Sequence, residues 1–119
     1  MSKTIPRMRL QAFEAQGGRC FYCRVLMWTE DGLTFARRYG VSAHLAKWLQ
    51  CTAEHLLPRQ NGGGDSRTNV VAACRWCNHH RHAHRLIAPA PDVFAARVRR
   101  RVSKRRWHVA DVHGKGLLT

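Results

Sequence analysis

Apolar positions along the chain come in short packets, and their period changes from one packet to the next. Residues 6–16, "PRMRLQAFEAQ", carry Met8, Leu10 and Phe13 behind a proline, which predicts a helix that Gly17 and Gly18 end. "CFYCRVLMW" reads as a knuckle running into a short strand. In residues 33–50 the apolar positions 41, 45, 48 and 49 predict one or two helices broken near Gly40, with Ser42 as an N-cap. "TAEHLLP" has strand-like content and stops at Pro58. "RQNGGGDSRTN" is a polar loop with three consecutive glycines, and "VVAAC" is a second short apolar strand. "RWCNHHRHAHR", free of glycine and proline, reads as a helix. "APAP" then breaks the chain at 88–91. Beyond it Phe94, Val98 and Val102 stand at successive i+4 steps, which predicts an amphipathic helix capped by Asp92. The closing "GKGLLT" is expected to fray.

The polar positions change this picture through their charge. With 119 residues the chain has room for one domain and a small core. Lys and Arg outnumber Asp and Glu by 21 to 7, a net charge of +14. Such a chain repels itself, so its natural partner is a polyanion: nucleic acid, a ribosomal-type structural role included, or less often an acidic membrane surface. Seven of the cations fall between residues 97 and 106. Of these, Arg97, Arg100, Arg101, Lys104 and Arg105 are the expected phosphate contacts of the C-terminal helix; the alternative is a solvated surface helix docked by one apolar edge. The N-terminus has no apolar signal region, and no apolar run reaches the roughly 18 residues of a membrane span. A cytoplasmic protein without membrane contact is expected.

Cysteine spacing adds a metal. Cys20 and Cys23 form one C-x2-C pair, Cys74 and Cys77 another, and in a chain without a signal region two such pairs read as four thiolates around one tetrahedral zinc. The 50 residues between Cys23 and Cys74 exceed a minimal zinc ribbon, so further structure is inserted between the knuckles. Cys51 has no partner at useful spacing and is expected in the core.

What is inserted resembles the HNH endonuclease family. The matching stretch is "AEHLLPRQNGGGDSRTNVVAACRWCNHHRH", residues 53–82. Its pieces are an acid–His pair, a proline three residues after the histidine, a Gly-rich loop, an Asn leading an apolar strand, and Cys-x2-Cys-Asn. The two cysteine pairs match the branch of the family braced by four cysteines, and the likeness spans roughly residues 13–85. It implies an α+β fold: a small ββα-metal core braced by zinc, with flanking helices. Residues 1–90 would form the nuclease domain and 91–119 a basic helix and tail.

Hydrolysing a phosphodiester needs a base for water and an electrophile for the developing charge. His55 is the expected general base, since imidazole is a competent acceptor near neutral pH. The resemblance gives Asn69 an orienting role through backbone near the histidine; otherwise it is a turn residue. It gives Glu54 and Asn78 to a catalytic divalent ion, with the His82 position used in some branches. Asn78 and His82 are four apart on one helix, hence on one face. A carboxylate and an amide oxygen suit Mg²⁺ or Mn²⁺, and His82 would soften the site toward other transition metals. Glu54 departs from the family's more frequent Asp or His, and could instead pair with an arginine at the surface. A flat strand sends Glu54 and His55 to opposite faces, so both reach one site only where the strand twists or ends. Arg81 falls where the family often carries a cation, and is expected on the scissile phosphate. His79, His80 and His84 have no assigned role.

The expectation is thus a metal-dependent DNA endonuclease, as a monomer or a homodimer, with RNA an alternative substrate. The rival is a non-catalytic, zinc-braced nucleic-acid-binding module, which explains the charge and the cysteines but not Glu54, His55, Asn69 and Asn78 at these spacings.

Overall fold

The computed structural model describes residues 4–83 and 87–118. In order these form α1 (Thr4–Ala15), α2 (Gly32–Tyr39), α3 (Ala43–Trp48), β1 (Cys51–His55), β2 (Val70–Cys74), α4 (Arg75–His82), α5 (Pro91–Ser103) and α6 (Ala110–Gly114), with a 3-10 turn at Arg59–Asn61. The helices begin and end where local chemistry allows. Asp31 caps α2 through the Thr34 amide, and Gly40, at φ 68, ends it in the left-handed conformation. Ser42 Oγ accepts from the Leu45 amide and starts α3. Residue 92 departs from expectation. Pro91 opens α5 with its fixed φ and no N–H to lose, the cap position is Ala90, and Asp92 lies in the first turn bonded to the Val93 amide.

β1 and β2 form an antiparallel hairpin with Cys51 opposite Cys74, Glu54 opposite Val71 and His55 opposite Val70. α1 and α4 both pack against it. The backbone of β2 not paired with β1 is not left bare: Gln16 donates to Ala72 O at 2.8 Å and accepts from Ala72 N at 3.0 Å, imitating a third strand, and Phe21 N also reaches Ala72 O. The stretch after the first knuckle makes only isolated bridges, Arg19 to Leu26 and Trp28 to Gln50, in place of the short strand expected there.

One core runs through the described residues. The buried knuckle cysteines, Tyr22, Val25 and Leu49 belong to the same apolar cluster as Phe94, Val98, Trp107, Val112 and Leu117. The tail is therefore not frayed at Leu117: its side chain is buried, and its carbonyl accepts from Leu26 N at 3.0 Å and from Arg19 Nη1 at 3.3 Å. No helix among the described residues is long and apolar enough to cross a membrane.

Candidate active site and metal centres

The hairpin brings Cys74 and Cys77 against the first knuckle. The Sγ atoms of Cys20, Cys23, Cys74 and Cys77 all lie within 4.8 Å of one another, and all four residues are buried. Cys74 is both a member of this cluster and the N-cap of α4, accepting from the Cys77 amide at 3.4 Å, while Cys20 Sγ accepts from the amides of Tyr22 and Cys74. Burial pushes the thiols of Cys74 and Cys77 well above their ordinary value, and hydrogen bonding with Cys20 and Cys23 adds to it. Four crowded, water-excluded thiols become favourable as thiolates around a cation, and an all-sulfur tetrahedral set fits a structural zinc. The C-terminal segment closes over them. Trp107 Nε1 donates to Cys77 Sγ at 3.3 Å, and His108 Nε2 lies 3.2 Å from Cys23 Sγ. His108 holds φ 66 to get there, and burial pulls its imidazole down to about 4, so it is neutral at pH 7. Spacing gave no hint of these two residues, 30 or more positions from the nearest ligand. Cys51 stays apart as a buried thiol raised by that burial to about 11.

A second cluster abuts the first. Glu54 is 2 % exposed and Arg81 1 %, joined at 3.0 Å from Nη1 to Oε2. Tyr22, inside the first knuckle, donates its hydroxyl to the same Oε2 at 3.1 Å and accepts from Arg81 Nη1 at 3.1 Å. Burial, then the Glu54 charge, raises the phenol far above its usual value, so it stays a donor. Arg81 also donates to the carbonyls of His55, Leu56 and Pro89. Arg81, expected on the scissile phosphate, is thus buried on five internal acceptors and ties α4 to the end of β1. Glu54 does pair with an arginine, though in the interior and not at the surface.

An open cavity of about 590 Å³ lies above this cluster, lined by Glu54, His55, Arg59, Asn78 and His82 among others. Glu54 and His55 occupy opposite faces of β1, and both reach the cavity because the strand ends at His55. His82 Nε2 stands 3.0 Å from Glu54 Oε1, the carboxylate oxygen that Arg81 and Tyr22 leave free. The Asn78 amide nitrogen is held by Thr52 Oγ1 and Ala53 O, which leaves the amide oxygen as the end available to a ligand. His55 Nε2 lies 2.9 Å from Asp65 Oδ1, and Arg59 Nη2 grips both oxygens of Asp65 at 3.0 and 3.1 Å. Asn69 is not in the cavity. Its Oδ1 accepts from Leu57 N at 2.8 Å, and its Nδ2 donates to Leu57 O and Gly64 O, clasping the loop against the strand just beyond His55. The glycine run is equally specific: a Cβ on Gly63 would fall 1.6 Å from Leu57 O.

A hairpin ending in histidine, an asparagine clasp, and a helix that starts on a cysteine knuckle and presents Asn and His together follow one another within a single stretch of chain. Residues 42–84 match the HNH endonuclease family model. That segment is similar to an HNH endonuclease domain. No curated protein and no solved structure matches the chain.

In the matched segment a divalent ion could be held by Glu54 Oε1, the Asn78 amide oxygen and, where the ion replaces its hydrogen bond to Glu54, His82 Nε2. This mixed oxygen–nitrogen set fits a hard to borderline cation. Outside the matched segment, Arg97, Arg100, Arg101, Lys104 and Arg106 line a second cleft of about 500 Å³. Arg101 lies over the Trp107 ring at 5.9 Å. Arg105, expected among the phosphate contacts, sits just past α5 at φ 55 and does not line the cleft; Arg106 takes that place. His79 is exposed and packs its ring near Trp48, and His80 bonds Trp76 O; His84 lies outside the described residues.

Proposed function

We propose that the chain is a metal-dependent HNH endonuclease that hydrolyses phosphodiester bonds of DNA. The observation that carries this reading is the convergence of His55, Glu54, Asn78 and His82 on one open cavity, bordered by the exposed cation Arg59. An imidazole placed beside a candidate cation site is what water activation at a phosphate requires.

In this reading His55 takes a proton from water as the water oxygen bonds to phosphorus. The bond from phosphorus to the 3′ oxygen breaks, and that oxygen takes a proton from solvent, leaving 5′-phosphate and 3′-hydroxyl ends. A divalent cation, Mg²⁺ or Mn²⁺, would stabilise charge on the phosphate and departing oxygen. Asn69 holds the loop that frames the base, an orienting role. Arg59, at the cavity rim, is better placed to meet a phosphate than Arg81. The α5 cleft supplies sequence-independent affinity for the backbone through Arg97, Arg100, Arg101 and Lys104, joined by Arg106.

Supercoiled plasmid tests the reading directly. Wild-type protein with Mg²⁺ or Mn²⁺ is expected to nick it. His55→Ala should cut at least about 100-fold more slowly while its mobility-shift binding survives. Equal cutting by the two proteins would remove His55 from the base role. No cutting with any divalent ion would leave a zinc-braced binding module.

A further inference from the structure

We infer that Asp65 is the positioning residue of the base, fixing His55 as the tautomer with its proton on Nε2 and leaving Nδ1 as the basic nitrogen. The catalytic half rests on the nuclease reading above; the tautomeric half stands on geometry.

Asp65 Oδ1 and His55 Nε2 are 2.9 Å apart. The hydrogen bond from His55, then the Arg59 guanidinium, hold the Asp65 carboxyl below the usual carboxylate range, so near neutral pH it is an anion. A carboxylate only accepts, and the hydrogen between the two atoms therefore belongs to the imidazole. A neutral imidazole with Nε2–H has its lone pair on Nδ1. When Nδ1 takes a proton from water, the anion already on Nε2 stabilises the imidazolium that results. Partners of this kind fix the tautomer and the ring orientation of a functional histidine.

Asp65 is not a loose surface acid. On one side of it Gly64 O accepts from Asn69 Nδ2 at 2.9 Å; on the other, Ser66 O accepts from the amides of Asn69 and Val70 at 3.0 and 2.9 Å. Gly63 N donates to Pro58 O at 2.9 Å, in a place where no side chain fits. Arg59 then binds both carboxylate oxygens and sets the carboxylate's direction. The clasp made by Asn69 thus has a second product beyond closing the loop: it presents Asp65 to the base.

The experiment uses full-length, zinc-loaded protein and two variants, Asp65→Asn and Asp65→Ala. Nitrogen-15 NMR of the histidine rings, with His55 assigned by its loss in His55→Ala, is expected to place the wild-type proton on Nε2 and to show mixed tautomers in Asp65→Ala. Cleavage of a duplex oligonucleotide should lose about 10- to 100-fold in kcat in both variants, with KM within about twofold of wild type. A wild-type proton on Nδ1, or an unchanged kcat in the variants, overturns the assignment. Wild-type protein that cuts nothing would instead overturn the nuclease reading and the catalytic half with it, and the NMR result alone would then decide the tautomer. Should Asp65→Ala lose zinc or fold, the nearly isosteric Asp65→Asn decides the kinetic question.

Discussion

The two candidate metal centres share a helix and little else. The cysteine centre is closed: four donors of one kind, all buried, with backbone and side-chain N–H groups aimed at sulfur. The cavity centre is open: three donors of three kinds, one on a carboxylate whose other oxygen is already bound by Arg81 and Tyr22. Closed sets suit structural metals, and sites that keep positions for water suit reactive ones. The contrast arises from neighbouring residues on α4, since Cys77 points into the core and Asn78 into the cavity.

The comparison breaks most completely if the closed centre is emptied. Cys74→Ser should abolish bound zinc and cooperative thermal unfolding together, as read by metal analysis and circular dichroism, because metal binding and folding are coupled in such small sites. A cooperative, zinc-free fold would mean that the apolar core suffices alone. Next in size is the buried pair beneath the open centre. Arg81→Met should destabilise the zinc-loaded protein by about 3–5 kcal/mol in urea unfolding, because it leaves the Glu54 charge buried without its partner. A loss under about 1 kcal/mol, the range of exposed pairs, would place Arg81 at the surface after all. The smallest effect on stability belongs to the α5 cleft. Arg100→Ala with Arg101→Ala should leave unfolding nearly unchanged yet lower the slope of log K against log salt by about 2 for duplex DNA. An unchanged slope would take the cleft off the backbone.

Much of the fold could be read from local pattern, because local chemistry decides it. Ser42 caps a helix wherever three amides follow in helical geometry, and "VVAAC" has no other economical use than a buried strand. The meeting of the four cysteines, and that of Glu54, Asn78 and His82 at one cavity, were legible too, as residue types at recognisable spacings. What escaped was set by partners distant in sequence. Arg81, among histidines, looks exposed; it is interior because Glu54, 27 residues earlier, carries the opposite charge at the same point. Tyr22 reads as filler within a knuckle until the hairpin places Glu54 over its hydroxyl. Trp107 and His108 reach the cysteines by crossing from the far end of the chain. Asp65 is one polar residue in a polar loop, and only closure of that loop by Asn69 gives it an address.

The hydroxyl of Tyr22 carries a practical consequence. It belongs to the loop that holds two of the sulfurs, yet it supplies one of the donors that steady the acid under the cavity. A minimal graft of residues 51–82 into a foreign scaffold would therefore bring every cavity donor along and still deliver a carboxylate short of a partner. The smallest transferable unit has to begin ahead of Cys20.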